Sequence, residues 1–282
     1  MEIISTVADL GKLLSKIPKN KTLGFVPTMG ALHQGHLNLV QQAIVENEIC
    51  LCSIFVNPTQ FNSTEDLDKY PNQIETDLKL LKSIGCNIVF TPTKSEIYPS
   101  GFKSKKYNFG KLDKVMEGAN RPGHFEGVAM VVSRLFDLIK PQRAYFGEKD
   151  FQQLAIIKSL TEQDQLPIKI VPCPISRETD GLAMSSRNIR LKQPYRVAAP
   201  RIYQRLLELQ NQITCKSVLE LKQWMIEEYE EDKDLDLEYF EIADTQTLEK
   251  SNHWTDSQEH IACIAIYAGE TRLIDNIVLK IN

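Results

Sequence analysis

The chain has 282 residues, enough for one large or two ordinary domains with separate cores, and its apolar (42%) and charged (25%) fractions are those of a globular protein. The formal net charge is only −4, and the 33 Lys and Arg are scattered without a polybasic block, so nucleic-acid binding is not expected. No apolar run approaches the roughly 20 residues that cross a bilayer, and Met1-Glu2-Ile3-Ile4 is not a basic stretch leading into an apolar one; neither a membrane span nor a signal peptide is expected.

Residues 5–17 place Val7, Leu10, Leu13, Leu14 and Ile17 at helical spacing and stop at Pro18. The β-type run 23–26 then feeds the turn Pro27-Thr28-Met29-Gly30-Ala31-Leu32, and an amphipathic helix over 35–46 begins at His33-Gln34-Gly35-His36. Two histidines thus sit where a strand ends and a helix starts, a place that offers backbone N–H groups and a positive dipole end to an anion such as phosphate. The run 49–56 is almost wholly apolar, as in a strand buried on both faces of a parallel sheet, and ends in Asn57-Pro58-Thr59-Gln60-Phe61. A helix over 73–84 and a strand over 87–90 follow. His124–Ile139 reads as a helix apolar around most of its circumference, hence deeply buried or part of a subunit interface. A strand over 143–146 ends in Gly147-Glu148-Lys149-Asp150, and a helix (151–161) and a strand (168–171) complete the pattern.

Alternating strands and helices predict a doubly wound parallel α/β sheet, whose ligands lie beyond the carboxyl ends of its strands. The polar turns after Val26, Val56 and Phe146 all fall at that edge. Beyond Pro174, residues 175–188 form a polar loop without periodicity. Helices are expected over 195–213 and 217–229, then an acidic cluster (Glu227, Glu228, Glu230, Glu231, Asp232) that reads as a solvated helix end. Strands at 237–242, 261–267 and 272–279, the last two joined by Ala268-Gly269-Glu270, predict a smaller α+β domain with an antiparallel sheet. The expected division is 1–175 and 176–282. Cys50, Cys52, Cys86, Cys173, Cys215 and Cys263 form no CxxC pair and sit mostly in apolar runs, so buried free thiols in a reducing cytoplasm are expected.

Each motif has a plainer reading. His33 and His36 also fit a helix cap, or two ligands of a metal; acidic partners at metal-ligand spacing are absent nearby, so no metal site is expected. Asn57 and Gln60 suit an Asn-Pro turn, yet at this edge two amides three residues apart offer donors and acceptors to a small polar substrate. Asp150 fits an N-cap. Lys149, a cation at a helix start, suits a polyphosphate, and Gln153 lies one turn further on. Residues 176–188 read either as a flexible linker or as a mobile lid whose Ser185, Ser186 and Arg187 close on a triphosphate. A P-loop and GxGxxG are both absent.

These residues resemble a known family. Pro27-Thr28-Met29-Gly30-Ala31-Leu32-His33-Gln34-Gly35-His36 resembles the HIGH-type signature of the nucleotidyltransferase superfamily, and Met184-Ser185-Ser186-Arg187-Asn188 its KMSKS-type counterpart. The combination with 53–61, Arg121-Pro122-Gly123-His124-Phe125, 146–154, 180–188 and Arg272-Leu273-Ile274-Asp275-Asn276 is similar to the pantoate–β-alanine ligases along essentially the whole chain.

The resemblance implies a Rossmann-like fold and a two-step ligation, in which (R)-pantoate and ATP give pantoyl adenylate and β-alanine then displaces AMP. It implies ATP as substrate, Mg2+ with the triphosphate and a homodimer formed through the amino-terminal domain. Met29 to His36, Gly147 to Asp150, Ser176 and Met184 to Arg187 would contact ATP, with Lys149, Ser185 and Arg187 on the phosphates. His36, His33, Lys149 and Arg187 would be the catalytic set, His36 as proton donor. Gln60 and Gln153 would hold pantoate, Gln60 also lying near β-alanine, with Asn57 and Tyr70 in support. Ser176 stands where the family is usually apolar, and Met130 where Thr is common. Two other readings remain open: a related nucleotidyltransferase using another acid or a phosphorylated alcohol, and a non-catalytic nucleotide-binding regulator.

Overall fold

The computed structural model describes residues 1–61, 67–68, 70–257 and 259–280. Strands β1 (Glu2–Ile4), β2 (Leu23–Thr28), β3 (Ile49–Ile54), β4 (Ile88–Phe90), β5 (Arg143–Gly147) and β6 (Lys169–Cys173) form one parallel sheet ordered β1-β4-β3-β2-β5-β6. Strands β7 (Asp236–Asp244), β8 (His260–Ala268) and β9 (Thr271–Leu279) form an antiparallel sheet in that order. The expected fold class is therefore the observed one. The chain divides into two compact units: Met1–Phe109, Arg121–Glu148 and Gln153–Pro174 make the first, and Gly110–Asn120, Lys149–Gln152 and Ile175–Asn282 the second.

The central strands are buried on both faces, as their unbroken apolar runs require: Phe25, Val26, Cys50, Leu51 and Cys52 are inaccessible. β2 pairs with β3 along its whole length but with β5 only at Gly24 and Phe25. Gln142 N–H donates to the Leu23 carbonyl, so odd-numbered residues of β2 turn their backbone groups toward β5. Pro27 falls in that set and has no N–H to give, which ends the β5 ladder there.

Helix Val7–Ser15 starts at Thr6, whose hydroxyl accepts the Asp9 N–H at 3.1 Å. His124–Ile139 has the expected bounds, and Phe125, Val128, Val132, Leu135 and Phe136 are buried within the single chain. Its all-round apolarity is used up by its own unit, with Phe136 edge-on to Phe25 and Phe146. The sequence argument for an interface on this helix is thereby removed.

In the second unit, helices Arg201–Gln210 and Val218–Glu230 bury Ile202, Leu206, Leu209, Leu221 and Met225 with Ala262, Ile264, Ile266 and Leu273 of the sheet. The single helix expected over 195–213 is instead a turn at Tyr195–Ala198 followed by Arg201–Gln210. Pro200 is the reason: it has no N–H, and its ring excludes the carbonyl four residues back. The acidic cluster is not simply solvated. The Asp232 carboxylate is buried and ion-paired with Arg201 and Arg205, both at 2.8 Å, while Glu227, Glu230 and Glu231 are exposed.

Candidate active site

The chain crosses from one half of the first sheet to the other between β2 and β5, and the crevice beyond their carboxyl ends is where such sheets bind ligands. β2 and β3 end level, with Thr28 opposite Ile54, and Gly24 lies opposite Arg143 four residues before β5 ends at Gly147. The turns after β2, β3 and β5 therefore lie along one edge.

The turn after β2 is held from within. The Thr28 hydroxyl donates to the Ser53 carbonyl (2.7 Å) and accepts the Gly30 N–H (3.3 Å). Gly30 and Ala31 then take left-handed backbone (φ +83° and +49°), and a Cβ on Gly30 would lie 2.9 Å from Asp77 Oδ2. The Ala31 and Leu32 N–H groups donate to the two carboxylate oxygens of Asp77 at 2.9 and 2.8 Å. Burial pushes the Asp77 carboxyl above its ordinary value, and these two N–H groups oppose that shift. Asp77 sits in the first turn of helix Ile74–Ser83, where the sequence alone shows only an acidic helix start.

Helix Gln34–Glu46 begins with a reciprocal cap made by the two histidines. His33 Nδ1 accepts the Gly35 N–H (3.2 Å), His36 Nδ1 accepts the His33 N–H (3.4 Å), and the ring centroids are 4.1 Å apart. With Nδ1 accepting, the neutral form of each ring carries its proton on Nε2, the atom that can donate to an anion. This corrects one expectation. Backbone N–H groups at Ala31, Leu32, His33 and Gly35 are engaged by Asp77 and by the rings, so fewer of them face a ligand than the strand-to-helix turn alone suggests.

The turn after β3 is braced as firmly. Asn57 is 1% exposed; its amide donates to the Gly127 carbonyl (3.0 Å) and accepts from the Tyr98 hydroxyl (3.0 Å) and the Thr59 hydroxyl (2.9 Å). A Cβ on Gly127 would overlap the Thr59 carbonyl and lie 2.8 Å from Gln60 Cα, so the helix backbone supports this turn directly. His124 Nδ1 is 2.8 Å from the Gln60 carbonyl and its Nε2 is 3.2 Å from Arg121 Nη1. The Gln60 amide nitrogen lies against the Met29 sulfur, which joins the turn after β3 to the turn after β2. Tyr70 stands edge-on to Phe61 at 5.7 Å.

After β5, Lys149 lies in the short 3-10 turn Glu148–Asp150, half-buried, and its carbonyl accepts from Asn276 Nδ2 at 3.0 Å. Gln153 is half-buried one turn on, while its neighbour Gln152 is buried and bonded to Leu112, Val115 and Glu117 backbone. The 175–188 segment is not the structureless linker of the first reading. Met184 N–H donates to the Ser176 carbonyl and Glu178 N–H to the Leu182 carbonyl, closing a small hairpin with Gly181 at φ +95°. Ser185 Oγ accepts the Arg187 N–H (3.2 Å) and caps the 3-10 helix Ser186–Arg190. Sequence reasoning gave no role to Asp77, Gly127, Gln152 or Asn276, although Gln152 and Asn276 lie in stretches that carry the resemblance. Of these, Gly127 carried a signal, being a glycine inside an otherwise strong helix.

A doubly wound parallel sheet whose first central strand opens into a two-histidine helix cap fits the resemblance to the HIGH-type nucleotidyltransferases. A sequence profile described as Pantoate-beta-alanine ligase matches residues 2–278, and the chain belongs to that family. It is 50% identical over 279 residues to the pantothenate synthetase of Azobacteroides pseudotrichonymphae genomovar. CFP2, covering 98% of this chain and 99% of the relative. The crystal structure of pantothenate synthetase from Thermus thermophilus is 41% identical, with a TM-score of 0.93 and full coverage of both chains. A pantoate-beta-alanine ligase from Francisella tularensis, complexed with beta-gamma ATP and beta-alanine, is 34% identical with a TM-score of 0.82, covering 100% of this chain and 99% of that one.

Proposed function

We propose that the chain condenses (R)-pantoate with β-alanine at the expense of ATP, giving pantothenate, AMP and pyrophosphate. The observation that carries this reading at the level of the site is the contact of Gln60 with Met29, which puts an amide suited to a hydroxy acid beside the histidine-capped helix start. A carboxylate resists attack by an amine until one of its oxygens belongs to a good leaving group. The pantoate carboxylate oxygen therefore attacks the α-phosphorus and pyrophosphate departs. The β-alanine nitrogen then attacks the acyl carbon of the adenylate, AMP departs with the bridging oxygen, and the amine loses its proton.

His33 and His36 donate from Nε2 to phosphate oxygens, and His36 is the one whose bond strengthens as charge builds on the leaving pyrophosphate. Lys149, Ser185 and Arg187 neutralise phosphate charge. Backbone and side chains of Met29 to Gly35, Gly147, Glu148, Asp150, Ser176, Met184 and Ser186 surround the nucleotide. Gln60 and Gln153 orient pantoate, and Asn57 acts as the brace of Gln60. Tyr70 reaches the site through its packing on Phe61. The resemblance implies magnesium with the triphosphate, where it would offset phosphate charge.

Exchange of labelled pyrophosphate into ATP, with pantoate present and β-alanine withheld, tests the first half-reaction. Pantoate-dependent exchange is expected; its absence from folded protein with magnesium would sink the reading. A homodimer formed through the amino-terminal domain is part of the proposal, on the family resemblance, as is a cytoplasmic location, on the free thiols expected from the sequence. Light scattering at micromolar concentration should read about twice the chain mass of 32.2 kDa, and a single-chain mass would count against the dimer. Among the described residues no helix is long and apolar enough to cross a membrane.

A further inference from the structure

Successive residues of a strand point to opposite faces of the sheet. In β9, Leu273, Ile277 and Leu279 pack in the helix-covered core of the second unit, and Asp275 shares their face. Its carboxylate, almost fully buried, takes both terminal nitrogens of Arg177 at 2.6 and 3.0 Å. The same guanidinium donates to the Gly181 carbonyl (3.1 Å) and lies 3.4 Å from the centre of the Tyr203 ring. A planar bidentate pair of this kind holds direction as well as distance. Asp275 thus clamps the base and tip of the hairpin that leads into Ser185–Arg187.

Asn276 and Arg272 face the other way. Asn276 Nδ2 donates to the Lys149 carbonyl at 3.0 Å. Arg272 is bidentate to Glu117 at 2.9 and 2.7 Å, and Glu117 in turn donates its N–H to the Gln152 side chain at 3.0 Å. The segment Lys149–Gln152 is therefore held at both ends from one face of β9, directly by Asn276 and through Glu117 by Arg272. Two adjacent positions of a single strand hold two segments that lie far apart in sequence.

We propose that β9 is the positioning strand of the phosphate site: Asn276 sets the backbone of Lys149, and Asp275, through Arg177, sets the hairpin carrying Ser185 and Arg187. The inference rests on the assignment of those three residues to phosphate. Asn276 and Asp275 are positioning residues and touch no substrate.

The test uses the full-length protein and Asn276→Asp, whose ionised side chain has no hydrogen to give the Lys149 carbonyl. In pantoate-dependent pyrophosphate exchange the KM for ATP should rise about tenfold while the KM for pantoate stays within about twofold. Amide hydrogen exchange should quicken at residues 149–153 and stay unchanged in the Gln34–Glu46 helix. In a Lys149→Met background the same substitution should add less than about twofold, because its route of action is gone. Asp275→Asn should raise the ATP KM and quicken amide exchange over 176–188. If Asn276→Asp does not fold, Asn276→Ser removes the donor with a smaller neutral side chain and is read in the same way. Unchanged amide exchange at 149–153, or an equal loss in both Lys149 backgrounds, would overturn the proposal. Quickened amide exchange with an unaltered ATP KM would overturn it through the assignment of Lys149 to phosphate, leaving the anchor itself in place.

Discussion

His36 serves two purposes with two atoms. Nδ1 closes the helix cap on the His33 N–H, and in the proposed reaction Nε2 donates toward phosphate. Asn places an amide oxygen where Nδ1 stands and nothing where Nε2 stands; Gln does the reverse. His36→Asn should therefore keep the melting temperature within a few degrees and lose pantoate-dependent exchange by about a hundredfold or more. Near wild-type exchange in that variant would refute the role of His36. The same division of labour explains Asp77. Its two bonds to Ala31 and Leu32 N–H, each worth about 1.5–3 kcal/mol for a charged acceptor, hold the left-handed turn that delivers His33 to the helix start. Sequence reasoning placed the histidines well because the whole device lies within a few residues. It could not see Asp77, 45 residues away from Leu32, whose partner is set by how helix Ile74–Ser83 packs.

At the scale of elements, the contact between helix His124–Ile139 and the 57–60 turn decides where Gln60 stands. Gly127→Ala places a methyl group inside the Thr59 carbonyl, and either helix or turn must move. The expected result is a KM for pantoate raised roughly tenfold or more, with the KM for ATP little changed, since a displacement near 1 Å at a positioning group is costly. Equal changes in both constants would show that the helix supports the fold in general and not this turn. Elements with long periodic patterns were legible, and His124–Ile139 was read to the residue. Those whose boundary depends on one backbone group were read less well: Pro200 split a helix that its apolar periodicity joined. β1 is not legible as a strand in the sequence, because three residues carry no periodicity and only its pairing with β4 makes it one.

For the whole molecule, burial of the cysteines offers a test of the folded chain. Cys50, Cys52, Cys86, Cys173 and Cys263 are buried and Cys215 is exposed. Burial also pushes the Cys173 thiol up to about 12, so little thiolate forms there at neutral pH. A thiol-reactive chromogenic disulfide should titrate about one equivalent in the native protein and all six after denaturation. Several fast equivalents in native protein would contradict the packing of both units. Gly110–Asn120 and Lys149–Gln152 belong to the second unit although the chain around them belongs to the first, a division no cut at a single residue describes.

By itself the sequence determined the alternation of strands and helices, the parallel sheet that follows from it, and the three polar turns at one edge, because periodicity and turn chemistry act over a few residues. Tertiary structure alone decided the strand order, the partners of Asp77, Gln152, Asp275 and Asn276, and the internal use of the helix-start N–H groups. A buried polar group takes whichever donor or acceptor packing brings within about 3 Å, and chain separation has no part in that choice.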